Sequence, residues 1–279
     1  IDVLREAQDI SPLAAVRLAA FEARQPLYPS LAEKHAALRD AAARIDELLA
    51  NEPWAQADRR NALLVRGELA LLLGEQDKAL ALSEEILADA PSSPEGQLLR
   101  CEVLMRQNQF ADAERALFFL RSENPKSINI AYRYALAAQA AGRKEMAMEA
   151  LQAVIERAPQ HAEARKRLIQ AYLARGYDEQ AYMQADQYFH HHPDQPDALR
   201  LMVWAAVRTD RRAQASKTIQ QALAEKNDSA EMLSAAAQAY QRLGDIHKAM
   251  DLARVREKFR PFSPWNFSSG KAGTMTSTC

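Results

Sequence analysis

Apolar residues recur along most of this chain at the spacing of an amphipathic helix. Leu80, Ile86 and Leu87 follow this spacing in one segment, and Leu117 and Leu120 follow it in another. Side chains at this spacing lie on one face of a helix, so each segment has one face to bury. Strands would need alternating runs rich in Val, Ile and Thr, and the sequence has none. The pattern predicts an all-α protein.

The helical pattern recurs in units of 34 residues. A proline closes five of six successive units, in the series Pro91, Pro125, Pro159, Pro193, Asn227 and Pro261. Twelve residues before each closing position stands an alanine: Ala79, Ala113, Ala147, Ala181, Ala215 and Ala249. Five residues before each alanine stands a turn-forming residue: Gly74, Asn108, Gly142, Gly176, Asp210 and Gly244. The register never slips, so the sequence encodes a tandem array of one structural unit.

Each unit is predicted to be two helices joined by a tight turn. Gly, Asn or Asp ends the first helix because these residues tolerate the left-handed conformation. The alanine is expected where two helices cross so closely that a larger side chain would overpack. The proline ends the second helix, and Ser93, Pro94 and Glu95 then give a start signal for the next unit. A single unit cannot bury its apolar face alone, so the copies must stack.

These residues resemble the tetratricopeptide repeat (TPR), in the alanine-rich form typical of its bacterial members. The resemblance also rests on a mostly small residue in each first helix: Gly67, Cys101, Ala135, Ile169, Val203 and Ala237. The aromatic residue usual on the inner face of that helix is kept only in places, as Tyr172 and Tyr240. The resemblance implies a right-handed α-solenoid of helix–turn–helix repeats with a concave groove.

Counting the closing proline as repeat position 32 divides the chain into three predicted parts. Residues 60–263 form six repeats, which begin at positions 60, 94, 128, 162, 196 and 230. Residues 1–59 form N-terminal helices that include a degenerate repeat. Residues 264–279 form a tail that is first aromatic and then rich in Ser, Gly and Thr.

The N-terminal part is predicted to hold helices at about 12–24 and 31–51, separated by a break at "QPLYPS". Ser30 and Glu33 form a capping box for the second helix. Pro53 and Pro91 are 38 residues apart, four more than the period. The insertion near "PWAQADRR" is therefore predicted to lengthen a loop or the next helix.

The two ends of the chain leave alternatives open. Phe262, Trp265 and Phe267 could fold back onto the last repeat, dock on a partner, or belong to a disordered remnant of a longer chain. The chain starts at Ile1 and not at Met, which predicts a processed product or an excised fragment. A membrane tether or targeting segment could have been removed, so the compartment stays unknown. The bacterial envelope is the weakly favoured expectation, with the cytoplasm as the alternative.

Charge and hydropathy exclude several classes of function. The formal net charge is −1 and the pI is about 6.7, without the basic excess of a nucleic-acid binder. No apolar run reaches the roughly 18 residues of a membrane span. Cys101 and Cys279 make no metal or redox spacing.

Motifs for catalysis or cofactor binding are missing from the sequence. It contains no GxGxxG, GxxxxGK[ST], HExxH or CxxC. The SxxK at 268–271 lies in the tail, away from any helix start. The histidines at 190–192 are expected at the polar C-terminus of a helix, and a metal site is the alternative. Cys101 is expected to be a buried structural thiol, and no enzymatic activity or cofactor is predicted.

The resemblance places ligands in the groove, at positions 2, 5, 9, 12 and 13 of each first helix or beside them. The candidate partner-binding residues are Glu68, Glu102, Tyr132, Arg133, Lys166, Gln170, Arg200, Trp204, Arg208 and Arg242. This predicts a groove that runs from acidic and apolar to basic and aromatic, suited to an acidic peptide in its later half. In the alternative, Trp204 packs against the next repeat and the arginines are solvated. No Asn stands at position 9, which disfavours the family's clamp for a C-terminal carboxylate.

The favoured hypothesis is a non-catalytic scaffold that binds a segment of another protein, for example as an assembly factor of a bacterial envelope complex. One alternative is the TPR arm of a larger enzyme or of an export protein, such as one for polysaccharide. The other is direct binding of an anion or polysaccharide in the basic half of the groove. The sequence does not predict an oligomeric state.

Overall fold

A computed structural model describes residues 11–25, 30–224 and 229–258, and these residues are helical apart from short turns. The helices are α1 Pro12–Ala23, α2 Leu31–Asn51, α3 Gln56–Leu73, α4 Gln76–Asp89, α5 Pro94–Arg106, α6 Phe110–Glu123, α7 Ile128–Ala140, α8 Lys144–Arg157, α9 Ala162–Arg175, α10 Asp178–His191, α11 Pro196–Arg208, α12 Arg212–Ala224, α13 Ala230–Leu243 and α14 Ile246–Lys258. The all-α prediction is confirmed for this part of the chain. The aromatic tail and the predicted break at "QPLYPS" fall wholly or mostly outside it.

The turn between the two helices of each pair has the same backbone in all six repeats. Gly74, Gly142, Gly176 and Gly244 have φ values of 77–82°, and Asn108 and Asp210 have φ values of 60° and 57°. The residue after each turn donates its backbone N–H to a carbonyl five positions earlier, as Glu75 does to Ala70 at 2.8 Å. This bond closes the end of the first helix in a Schellman motif. The prediction of left-handed turn residues is confirmed at every position.

The repeated alanine lies where the paired helices cross. Five of the six are at most 3 % exposed: Ala79, Ala113, Ala147, Ala181 and Ala215. Ala249, in the last helix, is half-buried. Gly67 shows the same close approach between successive first helices, because a Cβ there would collide with Leu99 of α5. Close packing of this kind explains why the sequence keeps small residues at these positions.

The chain forms two compact units, residues 1–158 and 159–279. In each unit a helix packs on the next one in sequence, and first helices of successive pairs also touch, as α3 touches α5 and α11 touches α13. The unit 2 core includes Leu199, Met202 and Tyr240. This arrangement sets first helices side by side and positions the candidate site residues on them.

The N-terminal helices match their predicted bounds closely. Ser30 caps α2 by accepting a hydrogen bond from the Glu33 backbone N–H at 3.2 Å. The four inserted residues after Pro53 lengthen α3, which has 18 residues where later first helices have 13 or 14.

Candidate functional site

An open cleft of ≈ 660 Å³ lies along the first helices α9, α11 and α13 of unit 2. We call it the late cleft; its lining is Lys166, Gln170, Asp197, Arg200, Leu201, Trp204, Gln238, Ala239, Gln241 and Arg242. Each helix contributes residues four positions apart, which share one helix face. The late cleft therefore brings together five predicted groove residues: Lys166, Gln170, Arg200, Trp204 and Arg242.

Trp204 contributes an aromatic ring to the lining of the late cleft. Its ring is half-buried and packs partly against the core of unit 2. The Arg242 guanidinium carbon lies 4.8 Å from the ring centroid. A cation in this position is attracted to the ring by about 0.5–1 kcal/mol at an exposed site. The Trp204 side chain therefore packs against the core of unit 2 and also lines the late cleft.

One carboxylate serves two of the three cations in the late cleft. Asp197 accepts hydrogen bonds from Arg200 at 2.9 Å and from Lys166 at 3.3 Å. A hydrogen bond from Lys166 to Glu163, with Asp197 contributing next, raises the pKa of Lys166. Three cations and one carboxylate line the cleft, so the formal charge of the lining is +2; Glu163, just outside the lining, also pairs with Lys166 at 2.8 Å. A surface of this charge attracts anions.

Arg242 and Arg208 differ in their ion pairing. Within the described part of the chain, Arg242 has no ion-pair partner, so its charge is available beside the Trp204 ring. Arg208 does not line the late cleft. It is the last residue of α11 and pairs with Asp178 at the start of α10 at 2.9 Å.

Unit 1 has a second cleft, of ≈ 600 Å³, which we call the early cleft. Its apolar lining is leucine: Leu38, Leu64, Leu71, Leu72, Leu98 and Leu99. Its polar lining is Arg24, Lys34, Glu68, Glu95, Glu102, Arg106, Asn129 and Arg133. Three of the predicted groove residues, Glu68, Glu102 and Arg133, therefore meet here. Tyr132, half-buried in α7, does not line it.

The early cleft is not acidic as expected, because basic side chains also line it and two of its three carboxylates are in ion pairs. Arg24 contacts Glu68 at 2.7 Å, and Arg133 pairs with Glu102. Four basic and three acidic side chains line the cleft. The exposed ion pairs neutralise one another locally and contribute little to stability. Leucine dominates the remaining surface.

Sequence reasoning missed two sets of lining residues for different reasons. Asp197 stands at repeat position 2, so a strict reading of the groove positions would have found it. Arg24 and Lys34 belong to α1 and α2, where the 34-residue register is degenerate. No periodic signal could place those two residues beside the later first helices.

Cys101 is buried in the core, and His190 and His191 lie at the end of a helix. Cys101 is a buried free thiol, and burial raises its pKa to about 11. His190 and His191 end α10, and the His190 ring lies 2.8 Å from the Asp186 carbonyl. Within the described residues, His, Cys, Asp and Glu form no cluster of three or more that could hold a metal. No helix in that same part of the chain is long and apolar enough to cross a bilayer.

Comparison with known proteins gives similarity at the level of structure. No protein-family model matches the chain, and no curated protein matches it in sequence. PilW, a widely conserved type IV pilus biogenesis factor, is similar over 78 % of this chain and 96 % of its own, with 20 % identity and a TM-score of 0.59. PilF of Pseudomonas aeruginosa is similar over 72 % and 91 %, with 15 % identity and a TM-score of 0.56. A tetratricopeptide repeat protein from Parabacteroides merdae is similar over 92 % and 94 %, with 14 % identity and a TM-score of 0.55. The chain has the TPR-type helical repeat fold.

Proposed function

We propose that this protein is a non-catalytic interaction scaffold that binds an acidic segment of a partner protein in the late cleft. The observation that carries the proposal is the charge arrangement around Trp204, where Asp197 pairs with Lys166 and Arg200 and leaves Arg242 beside the ring without a carboxylate among the described residues. Arg and Trp are typical anchors of protein interfaces. A partner carboxylate would pair with Arg242 while an apolar side chain covers the Trp204 ring.

A pair of matched peptides tests this proposal. The first is fluorescein-labelled Glu-Phe-Glu-Glu-Phe-Glu, and the second carries Gln in place of each Glu. We expect the Glu peptide to bind about tenfold more tightly by fluorescence anisotropy, and added salt to reduce the difference. Arg242→Ala should weaken binding, whereas Arg208→Ala, outside the cleft, should leave it unchanged. Equal affinity for the two peptides would overturn the proposal.

Direct binding of a polysaccharide or another anion is the second candidate, favoured only by the formal charge of +2 in the late cleft. Heparin serves as the probe, with the double variant Arg200→Glu and Arg242→Glu, because both arginines line the late cleft. Heparin binding that exceeds peptide binding, and is lost in this variant, would support the second candidate. Unchanged heparin binding would exclude it.

We further propose a role as an assembly factor in a bacterial envelope complex. The support is that two structures with this fold belong to PilW, a type IV pilus biogenesis factor, and to PilF. Cell fractionation followed by affinity capture tests the role, with Trp204→Ala/Arg200→Glu as the control variant. An envelope protein captured by the native chain and lost in the variant is the expected result. A freely cytosolic protein at native length would contradict the envelope assignment.

A further inference from the structure

A third cleft, of ≈ 670 Å³, lies in unit 1 on the face of α5 that points away from the early cleft. Its lining, which defines the lateral cleft, is Leu87, Pro91, Gln97, Arg100, Cys101, Leu104, Gln109, Asp112, Ala116 and Phe119. The early cleft uses Leu98 and Glu102 of α5, whereas the lateral cleft uses Gln97, Cys101 and Leu104. Residues at these two sets of positions lie on different faces of one helix.

The inner wall of the lateral cleft is apolar and includes an exposed aromatic ring. Leu87, Leu104 and Ala116 are half-buried, whereas Phe119 is 66 % exposed. Phe119 meets Phe118 edge to face, with ring centroids 5.8 Å apart. Two adjacent exposed phenylalanines are costly to leave in water, so this wall is suited to covering by another apolar group.

The equivalent positions of the fourth repeat are filled by a buried arginine. Arg165, only 5 % exposed, donates to the side-chain oxygens of Gln184 and Gln187 at 2.8 Å each and to the Pro159 carbonyl at 3.0 Å. Its guanidinium thus ties the second helix and the closing proline to the first helix. Side chains of the fourth repeat, together with the closing proline of the repeat before it, therefore fill the site.

The second repeat lacks that network and keeps the space. Gln97 stands in the place of Arg165, and among the described residues its side chain makes one hydrogen bond, from its nitrogen to the Pro91 carbonyl at 3.2 Å. Ala116 and Phe119 replace the two glutamines. The space that Arg165 and the two glutamines fill in the fourth repeat therefore stays open in the second repeat, as the lateral cleft.

The rim of the lateral cleft carries one uncommitted positive charge. Arg100 is exposed and has no ion-pair partner within the described part of the chain. The neighbouring Asp112 is already paired with Arg115. A ligand that covers Phe119 therefore has a guanidinium available for a carboxylate, and charge-assisted hydrogen bonds of this kind are among the stronger ones.

We propose that the lateral cleft docks a partner segment in which an aromatic side chain is adjacent to an acidic residue. The aromatic ring enters between Leu104 and Phe119, where an edge-to-face or offset arrangement is favourable. The carboxylate pairs with Arg100. This surface goes beyond the proposed function of the late cleft, because it belongs to different helices and to the other unit.

Nuclear magnetic resonance with capped tripeptides tests the proposal. Glu-Phe-Glu is the probe, and Glu-Ala-Glu and Gln-Phe-Gln are its controls. We expect Glu-Phe-Glu to shift the backbone amide signals of Cys101, Ala116 and Phe119, with an affinity about tenfold above that of Gln-Phe-Gln. Arg100→Ala should abolish the preference for Glu over Gln. Absence of shifts at these amides at millimolar Glu-Phe-Glu would overturn the proposal.

A repeat-exchange variant provides the control for the site. Gln97→Arg, Ala116→Gln and Phe119→Gln together copy the side chains with which the fourth repeat closes the same positions, so the fold should be kept. We expect this variant to lose at least about tenfold in affinity for Glu-Phe-Glu, while Trp204→Ala leaves these shifts unchanged. Full retention of binding by the exchange variant would contradict the site. A concentration-dependent dimer that Phe119→Gln dissociates would show that the occupant is a second copy, which also overturns the proposal.

Discussion

The late cleft and the early cleft are built at similar repeat positions, yet their chemistry differs. In the late cleft Asp197 pairs with two of the three cations, and the third, Arg242, lies over an accessible tryptophan ring without a carboxylate partner in the described part of the chain. In the early cleft Glu68 and Glu102 each hold an arginine, and leucine dominates the rest of the surface. The repeat fixes where a groove side chain points, but the residue at that position decides what it binds. We therefore expect the late cleft to select acidic segments and the early cleft to select apolar ones.

Trp204→Ala should give the largest effect and separates the two clefts most directly. It removes the aromatic anchor and the ring on which Arg242 is stacked. We expect binding of the Glu-Phe peptide to weaken about thirtyfold, corresponding to about 2 kcal/mol for an interface hot spot. The measurement is fluorescence anisotropy, with circular dichroism to confirm that the helices persist.

The matched variant for that prediction is Leu98→Ala in the early cleft, which should leave binding of the same peptide unchanged. Leu98 is half-buried, as Trp204 is, so both variants remove a partly exposed apolar side chain from a first helix. Similar losses from both variants would mean that the clefts do not differ in the way that their charges indicate.

Converting the early cleft into a cationic one should give an intermediate effect. Glu68→Gln together with Glu102→Gln leaves Arg24 and Arg133 without their carboxylates. The side chains stay close in size, while the formal charge of the lining rises by two. We expect the affinity of the early cleft for the Glu-Phe peptide to rise about threefold to tenfold. The measurement uses a Trp204→Ala background, in which the late cleft binds this peptide weakly.

The control for the charge conversion is Glu84→Gln together with Glu85→Gln. Both residues are exposed on α4, and neither lines the late cleft or the early cleft. It changes net charge by the same amount. If it raises affinity equally, the effect comes from total charge and not from the cleft.

Local steric rules made the fold predictable from the sequence. Six turn residues and five buried alanines were identified because a left-handed turn and a close helix crossing admit few residue types. Five groove residues meet in the late cleft because spacing by four within a helix and by 34 between helices sets them side by side. Side-chain direction at a helix end was not predictable, since Arg208 turns to Asp178 of another helix. The pairing of Arg24 with Glu68 was also hidden, because the N-terminal helices have lost the repeat register.

The smallest expected effect tests whether the scaffold is alike in both units although the clefts differ. Asn108 in unit 1 and Asp210 in unit 2 occupy the same turn position with φ values of 60° and 57°. Glycine adopts this conformation without the steric cost of a Cβ. Asn108→Gly and Asp210→Gly should therefore each raise the free energy of unfolding by about 0.5 kcal/mol, measured in urea.

Gly142→Ala is the opposite control for these two variants, because it forces a Cβ into a turn with a φ of 78° and should destabilise by about 1 kcal/mol. None of the three substituted residues lines the late cleft or the early cleft, so peptide binding should stay constant. The free energy of unfolding should rise in the two glycine variants and fall in Gly142→Ala. A change in binding that followed stability would show that the clefts depend on repeat packing beyond their own side chains. Stability gains of similar size in both units, with constant binding, would instead mean that one scaffold carries two independently variable recognition surfaces.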